Sequence, residues 1–263
     1  MLQAADEVPA KFYKYRPMNN PELVQRVEKI VLNNEIFFPP PSSFNDPFDL
    51  KPAFSLDAPP ERQREYYLRL SRKFQAHLSD AQHNAEADSV MAKSLSAEHI
   101  AGTVAVIQAM HAQALTRVGV FCVSTKRDDI LMWSHYADSH RGVCLEFDGV
   151  SPFMAHAQKV NYSRKRVPIN PYADDNMAMM EKAMLTKSDH WAYEAEWRLC
   201  RYKEGPGPVK YRPTNLTGII LGALASLDTL DTVRKWVSQR VSPLSIYRAT
   251  TSGQNFELLI AGG

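Results

Sequence analysis

The stretch Tyr193-Glu194-Ala195-Glu196-Trp197-Arg198-Leu199 alternates strictly between apolar and polar residues. Such alternation is typical of a β-strand with one apolar and one polar face, because successive side chains point to opposite sides. On a strand near 195–202, Glu194 and Glu196 would stand side by side on the polar face. Two adjacent carboxylates repel each other, so one keeps its proton or both need cationic partners. In a helix the two side chains would point well apart and would not interact.

The charges on this stretch have two possible roles. Charged rows on strands that face solvent are common, and in that case Glu194, Glu196 and Arg198 form a salt-bridged surface row. In the other case the same row lines a cleft, where bulky Tyr193 and Trp197 fix two carboxylates that carry out chemistry. The pattern alone is compatible with both roles.

Outward from this stretch, strand and helix patterns interleave without a regular βαβ repeat. Strands are predicted at 11–16, 35–38, 118–124, 142–148, 160–162, 196–202, 218–221, 244–248 and 256–261. Helix starts are predicted at Asn20-Pro21, Asp128, Asn170-Pro171 and Ser226. This irregular order favours an α+β fold with flanking helices and a mixed, mostly antiparallel sheet, of which a split sheet is one form.

The block 59–117 is almost wholly helical in pattern and carries no chemical motif. Leu70, Phe74 and Leu78 recur every fourth residue, which is typical of one face of a helix. We expect 1–263 to form a single domain, with 59–117 as a helical insertion or subdomain inside it.

Composition describes an ordinary globular protein: of 263 residues, 44% are hydrophobic and 23% are charged. The net charge of +2 gives no overall footprint for nucleic acid, and Arg164-Lys165-Arg166 is interpreted as a solvated loop. No stretch approaches the roughly 18 apolar residues of a membrane helix, and residues 1–7 lack a secretory signal. The three cysteines avoid C-x-x-C spacing. We therefore expect a cytoplasmic protein with no membrane partner.

Several common sites are absent from the sequence. No G-x-G-x-x-G, Walker A or G-x-S-x-G motif occurs, which argues against a Rossmann or P-loop nucleotide site and against a hydrolase nucleophile elbow. His135 and His140 are five residues apart, a spacing that does not place them on one helix face as zinc ligands. No metal site is therefore expected.

Candidate cationic partners for the carboxylates lie on the first predicted strand. Lys14 and Arg16 would share one face of it, opposite the face of the tyrosines beside them. The forked donors of arginine match a phosphate or a carboxylate at two points. The simpler alternative is a structural ion pair with Asp46, Asp49 or Glu196.

Polar and aromatic residues in three other places complete the set of cleft candidates. A strand end can direct hydroxyls into a cleft, an Asx turn can present an amide and a carboxylate, and an aromatic segment can stack on a ring. These candidates are Ser124 and Thr125, Asn45 and Asp46, and Trp133, His135 and Tyr136. For each of them the simpler alternative is structural, such as a loop that only turns or a helix that packs Trp133 into the core.

Five motifs occur in order: Lys14-Tyr15-Arg16, Phe44-Asn45-Asp46-Pro47-Phe48-Asp49, Met132-Trp133-Ser134-His135-Tyr136-Ala137, Gly142-Val143-Cys144-Leu145-Glu146-Phe147-Asp148 and Trp191-Ala192-Tyr193-Glu194-Ala195-Glu196-Trp197-Arg198. Through them the chain resembles the bacterial domain-of-unknown-function family 2971. The resemblance runs from about Lys14 to Arg201, with the helical block as its variable part. It implies no established activity.

A second resemblance concerns arrangement. The order Arg16, Ser124-Thr125, Glu194-Ala195-Glu196 is similar to that of mono-ADP-ribosyltransferases, which bind NAD in a cleft of a split antiparallel sheet. It implies that the chain uses NAD as a substrate and cleaves its nicotinamide–ribose bond. A toxin or phage-defence effector acting on an unknown protein or nucleic-acid acceptor is the implied role. The chain departs from the pattern at Lys126, where those enzymes have a final serine.

The same resemblance implies roles for individual residues. Glu196 would hold the ribose and stabilise an oxocarbenium-like state, and Glu194 would orient or deprotonate the acceptor. Arg16 would pair with the pyrophosphate, a role that Lys14 can also fill. Tyr136 or Trp133 would stack on nicotinamide, with Ser124 and Thr125 beside them.

Two other functions remain open. The same cations and aromatic rings would serve a non-enzymatic module of a defence system that binds nucleic acid or protein, because stacking and phosphate contacts suit a single strand. A metal-dependent hydrolase or nuclease would instead use the carboxylates Glu146, Asp148, Glu194 and Glu196 as ligands. Oligomeric state cannot be inferred from these patterns.

Overall fold

A computed structural model describes residues 8–93 and 97–262. The expected absence of a secretory signal falls on residues 1–7, which lie outside the described part. The chain forms two compact units. The first comprises Met1–Ser43, Arg117–Tyr162 and Asp189–Gly263, and the second comprises Phe44–Thr116 and Ser163–Ser188. The expectation of one domain over 1–263 stays a prediction.

The described residues contain the nine predicted strands, several with shifted bounds, and three that were not predicted, at Gln158–Lys159, Thr186–Ser188 and Gly207–Lys210. They are β1 (Lys11–Arg16), β2 (Glu35–Phe38), β3 (Gly119–Ser124), β4 (Val143–Asp148), β5 (Gln158–Lys159), β6 (Asn161–Ser163), β7 (Thr186–Ser188), β8 (Glu196–Arg201), β9 (Gly207–Lys210), β10 (Leu216–Leu221), β11 (Ser245–Thr251) and β12 (Leu258–Gly262). The first unit contains an eight-stranded sheet in the order β12-β11-β10-β4-β1-β3-β8-β5. Neighbouring strands are antiparallel except β10 and β11. The α+β class with a mixed, mostly antiparallel sheet is confirmed.

The helices of the described residues are α1 (Pro21–Asn33), α2 (Pro60–Phe74), α3 (Asp80–Lys93), α4 (Ala97–Leu115), α5 (Ile130–Tyr136), α6 (Asn176–Met184) and α7 (Leu227–Ser238). Helices α1, α5 and α7 belong to the first unit, and α2, α3, α4 and α6 to the second. In the described ranges, none of these helices has the length and apolar character needed to cross a membrane.

Side-chain caps explain where the helices begin. Asn20 caps α1 by accepting a hydrogen bond from the backbone, and Ser226 caps α7 in the same way, as predicted. Two predicted starts are wrong. The carboxylate of Asp129, not Asp128, accepts the first N–H groups of α5. Helix α6 begins after its cap Asp175, five residues beyond the cap predicted at Asn170. The side chain of Asn170 instead accepts a hydrogen bond from the backbone N–H of Tyr172, which makes a local turn.

The eight-stranded sheet separates two groups of apolar side chains. Phe12 of β1 belongs to the larger group, which packs against α1 and α7, and its ring lies 5.5 Å from that of Trp197. Tyr13 and Tyr15 belong to the smaller group on the other face, which contains Trp133 of α5. The predicted alternation along the first strand is therefore present.

The sheet is weakly joined between β1 and β3. These two strands share a single residue pair, Tyr13 with Ser124, whereas β1 and β4 pair over six residues and so do β3 and β8. Beyond that pair no further ladder pairing joins the two strands. We call this unpaired stretch between the two strands the β1–β3 gap.

The second unit holds the predicted helical block, of which residues 94–96 lie outside the described part. Helices α2 and α3 are joined by polar contacts: Arg64 forms an ion pair with Asp88, and Ser71 donates a hydrogen bond to Glu86. A β-bridge between Phe54 and Ile169 connects the two chain segments of this unit. The helical character of 59–117 is thus observed.

Candidate functional site

The two carboxylates that define the candidate site do not share one strand. Glu194 ends a short 3₁₀ helix, Asp189–Glu194, and Glu196 begins β8. Between them Ala195 has a φ of 43°, in the left-handed region. This backbone reversal breaks the period of two that places alternate residues on one face. The expectation that both acids stand side by side on one strand is therefore wrong, although both are buried beside the same strand end.

Glu196 is held by a fully buried arginine. Nε and Nη2 of Arg198 donate to the two carboxylate oxygens of Glu196 at 2.8 and 3.0 Å. This fork fixes the plane of the carboxylate and supplies the positive charge that a buried acid needs. The hydroxyl of Tyr162 accepts a hydrogen bond from the backbone N–H of Glu196 at 2.8 Å. Of the salt-bridged surface row inferred from the sequence, the pair Glu196–Arg198 is present, and it is buried.

Glu194 is held from the other side. The hydroxyl of Tyr136, on α5, donates to its carboxylate at 2.5 Å. The hydroxyl of Ser124, at the end of β3, donates to its backbone carbonyl at 2.6 Å. The backbone N–H of Thr125 bonds the carbonyl of Ala195 at 3.3 Å. The structure thus brings Ser124 and Thr125, at the end of β3, and Tyr136, on α5, to the two acids, which are distant from them in the sequence.

Lys14 reaches the β1–β3 gap. Its ammonium donates to the carbonyl of Cys122 at 2.6 Å and lies 5.2 Å from the ring centre of Phe121. Burial lowers the pKa of Lys14 to about 8, although the charges of Glu196 and Glu194 act to raise it. Lys14 forms no ion pair with any residue in the described ranges, so its charge lacks a direct carboxylate partner.

Arg16 makes no contact with either acid among the residues that the structure describes. The register pairs Tyr13 with Ser124 and Ser124 with Glu196, so Glu196 leaves the sheet on the tyrosine face. Arg16 lies on the opposite face, and no contact between described residues joins it to either acid. Its Nε is buried without a hydrogen-bond partner, and burial lowers the pKa of Arg16 to about 10. Arg16 shares this face with Lys14, and its convergence with Glu196 on one cleft stays a prediction.

Trp133 is a core residue. Its side chain is 0% exposed, its ring meets that of Tyr15 edge-on at 5.1 Å, and its indole N–H donates to the carbonyl of Arg127. A ring with no exposed face cannot stack on a ligand, so the stacking role considered for Trp133 is wrong. The sequence could not separate a packing tryptophan from a stacking one, because both suit a short amphipathic helix.

A surface group of aromatic rings borders Glu194 instead. Exposed His135 bonds the hydroxyl of Tyr193 through Nδ1 at 2.8 Å, and its ring also contacts those of Tyr136 and Trp191. Trp191 and Tyr193 lie 6.1 Å apart. We call these four residues the aromatic group. His135 and Tyr136 were candidates, whereas Trp191 and Tyr193 were seen only as part of a motif.

Asn45 and Asp46 belong to the second unit. One carboxylate oxygen of Asp46 accepts the backbone N–H of Phe48 at 2.8 Å, which is the Asx turn that the sequence predicts. Asn45 is exposed. Neither residue is therefore assigned to the site at the start of β8.

Carboxylates elsewhere in the first unit are paired with other groups. Glu146 is within 3.4 Å of the ammonium of Lys11 and accepts hydrogen bonds from Thr217 and Tyr13. In the ranges 8–93 and 97–262, no three side chains of the types His, Cys, Asp and Glu are grouped as metal ligands. Glu146, Asp148, Glu194 and Glu196 thus form no such group.

Comparison with known proteins gives one match. No curated protein and no solved structure matches the chain significantly. Residues 132–199 match the family described as "Protein of unknown function (DUF2971)". The matched segment contains Tyr136, Glu194, Glu196 and the whole aromatic group, whereas Lys14 and Arg16 lie before it. Over residues 132–199 the resemblance to domain-of-unknown-function family 2971 is confirmed.

Proposed function

We propose that the chain is an ADP-ribosyltransferase-like enzyme that consumes NAD by breaking its nicotinamide–ribose bond. The carrying observation is the bonded set at the start of β8, where Tyr136 holds the carboxylate of Glu194, Ser124 holds its carbonyl, and Glu196 follows. Lys14 adds a positive charge at the adjoining gap. Two carboxylates, a cation and partly exposed rings suit a substrate with a positive ring, a ribose and a pyrophosphate.

The reaction needs few protein groups. When the bond between C1′ of the ribose and the pyridinium nitrogen breaks, its electron pair leaves with nicotinamide, which departs neutral. The ribose is left as an oxocarbenium-like cation. A nucleophilic atom of the acceptor, or water, then bonds to C1′ and passes its proton to a carboxylate. A fixed negative charge lowers the free energy of the cationic state more effectively in a water-poor site than in water.

The contacts of the two acids suggest different roles. Glu196, oriented at two points by Arg198, is suited to face the cation as a fixed charge. Glu194 accepts a short hydrogen bond from Tyr136 and lies next to the partly exposed rings, so it is suited to orient the acceptor and take its proton. Both roles require that substrate binding admit C1′ to buried side chains, since the two acids are 3% and 4% exposed.

Recognition of the rest of NAD falls to other residues. Lys14, rather than Arg16, is placed to neutralise the pyrophosphate, because its ammonium lies at the β1–β3 gap. Trp191 and Tyr193 replace Trp133 as the rings that stack on nicotinamide, since they are partly exposed and Trp133 is not. The acceptor, protein or nucleic acid, is unassigned. We propose a cytoplasmic toxin or phage-defence effector as the biological role, since NAD consumption harms a cell.

Release of nicotinamide from NAD tests the proposal. The intact chain, with cell extract as a source of acceptor, is expected to release it. Glu194→Gln and Glu196→Gln should each lower the rate by about 100-fold or more, as removal of one transition-state contact does in other enzymes. Glu204→Gln is the matched control, because Glu204 is exposed in the same unit. Thermal denaturation of each variant verifies its fold.

Two results would count against the proposal. Release that survives both substitutions rejects the assigned acids. Absence of release by the intact chain, even with extract, rejects the activity.

A second candidate is a binding module without turnover. The burial of Glu196 favours this candidate, because its charge is neutralised by Arg198, as the charge of a purely structural acid would be. In this case the aromatic group and Lys14 hold a nucleotide or a nucleic-acid strand. Binding of NAD or an oligonucleotide by a chain that releases no nicotinamide would support this candidate over the first.

A further inference from the structure

The second unit contains a cavity of about 220 Å³ whose lining is strongly basic. It lies between the loop 48–53 and the segments 163–167 and 182–188, all of them parts of this unit. Six of its sixteen lining residues are lysine or arginine, and one, Asp49, is acidic. A concave surface of one charge sign concentrates counter-ions of the other sign. The overall charge of +2 conceals this local excess.

Most of these cations have no carboxylate partner. Lys187 is buried with its ammonium 3.7 Å from Asp49, and Lys182 is bonded to Asp174 at 2.7 Å. The other four form no ion pair with any residue that the structure describes. They are Lys51, Arg164, Lys165 and Arg166. All four are exposed, so their charge at the cavity is available to a ligand.

An aromatic ring stands at the same cavity. Phe48 is 61% exposed, and the guanidinium of Arg166 lies 5.5 Å from its ring centre. The backbone carbonyl of Lys51 accepts a hydrogen bond from Arg166, which fixes the guanidinium over the ring. An exposed ring next to forked cations is the combination with which proteins hold a base and its phosphate.

We propose that this cavity binds the phosphate of a nucleotide unit, with Arg164 and Lys165 contacting the phosphate and Phe48 stacking on the base. The ligand is a free nucleotide or a nucleotide within a single-stranded nucleic acid. The inference goes beyond the proposed function, because a chain that releases no nicotinamide can still bind this ligand. The structure agrees with the interpretation of Arg164-Lys165-Arg166 as a solvated loop, since all three residues are exposed outside helices and strands, and the proposal adds a ligand to that loop.

Binding of defined probes to the intact chain tests this site. The probes are pyrophosphate, ADP and a labelled oligothymidylate of about ten nucleotides, within the usual range for one binding site. Arg164→Glu combined with Lys165→Glu should weaken binding by about tenfold or more and lower the salt dependence, because two phosphate contacts are lost. The matched control reverses another adjacent pair, Arg72 and Lys73, which is exposed on α2 of the same unit and outside this cavity.

Phe48→Ala separates base from phosphate recognition. This substitution should weaken the binding of ADP and of oligothymidylate by about fivefold or more, in line with the loss of one stacked base. The affinity for pyrophosphate should stay unchanged. Oligothymidylate bound more tightly than ADP identifies a strand, and the reverse identifies a free nucleotide. The proposal is overturned if no probe binds more tightly than about 0.1 mM, the weak end of sequence-independent binding. Equal weakening by the Arg164/Lys165 and Arg72/Lys73 reversals would overturn it as well.

Discussion

At the scale of single residues, Ala195 has a costly backbone conformation. Its φ of 43° is one that side chains with a Cβ adopt at a cost of about 1–2 kcal/mol, whereas glycine adopts it freely. We expect Ala195→Gly to raise the free energy of unfolding by about 0.5–1 kcal/mol, part of the gain being lost to the greater freedom of glycine in the unfolded chain. Urea denaturation measures it.

The control for this prediction lies three residues earlier. Ala192 is exposed in the 3₁₀ helix and has no positive φ, so Ala192→Gly should lower stability by up to about 1 kcal/mol. If both substitutions destabilise the chain equally, the left-handed turn between the two acids is not present in solution.

The pKa of Lys14 predicts how the affinity for NAD depends on pH. Burial lowers its pKa from 10.5 to about 8, so the ammonium is charged below that pH and neutral above it. If Lys14 neutralises the pyrophosphate, NAD affinity is constant below about pH 8 and falls by about tenfold for each further pH unit. Calorimetric titration from about pH 6 to 9 measures this trend, and Lys14→Met should bind more weakly with no such trend.

The lowered pKa of Lys14 also makes the stability of the fold depend on pH. Because the folded chain holds this proton less tightly than the unfolded chain, the contribution of Lys14 to stability rises between pH 8 and 10.5. The charged form is the one that burial disfavours. A loss of stability across this window that disappears in Lys14→Met would contradict the assigned shift.

At the scale of elements, the junction of β1 and β4 depends on one glycine. A Cβ at Gly142 would collide with the carbonyl oxygen of Arg16, where the end of β1 passes the start of β4. Gly142→Ala should therefore cost about 1–3 kcal/mol of stability, as overpacking does. Gly102, exposed in α4, has no atom within 4 Å of an added Cβ, so Gly102→Ala should stabilise by about 0.5–1 kcal/mol. Shifts of the denaturation midpoint in opposite directions for the two variants would confirm the close backbone approach at this junction.

Local patterns predicted most elements correctly because the physical cause was local. The alternation along Lys11–Arg16 and the caps Asn20 and Ser226 act within a few residues, and all appear as expected. The alternation through Glu194 did not predict its element, because a 3₁₀ turn and a left-handed residue happened to carry the same polar–apolar order.

Tertiary pairing is what the patterns could not supply. Tyr136 and Glu194 are 58 residues apart, and no period in the sequence relates them. The face on which Arg16 lies relative to Glu196 is set by register across three strands, which residue types alone do not supply. The candidate site was therefore predicted in composition and only partly in geometry.

At the scale of the whole molecule, charge and chemistry are divided between the two units. The first unit holds the buried acids at the start of β8, and the second holds the basic cavity. The net charge of +2 sums over both units, so it predicted neither the buried acids nor the basic cavity. ADP and pyrophosphate are parts of NAD, so the two proposed sites are distinguished by their variants, which lie in different units.

Amide hydrogen exchange with and without NAD tests the central claim, that NAD binds at the β1–β3 gap beside Glu194 and Glu196. The account predicts slower exchange in peptides covering Lys11–Arg16, Gly119–Ser124 and Asp189–Glu194 when NAD is present, and no such change in Lys14→Met at the same NAD concentration. Unchanged exchange in all three peptides of the intact chain, at NAD concentrations up to the millimolar range, would contradict it.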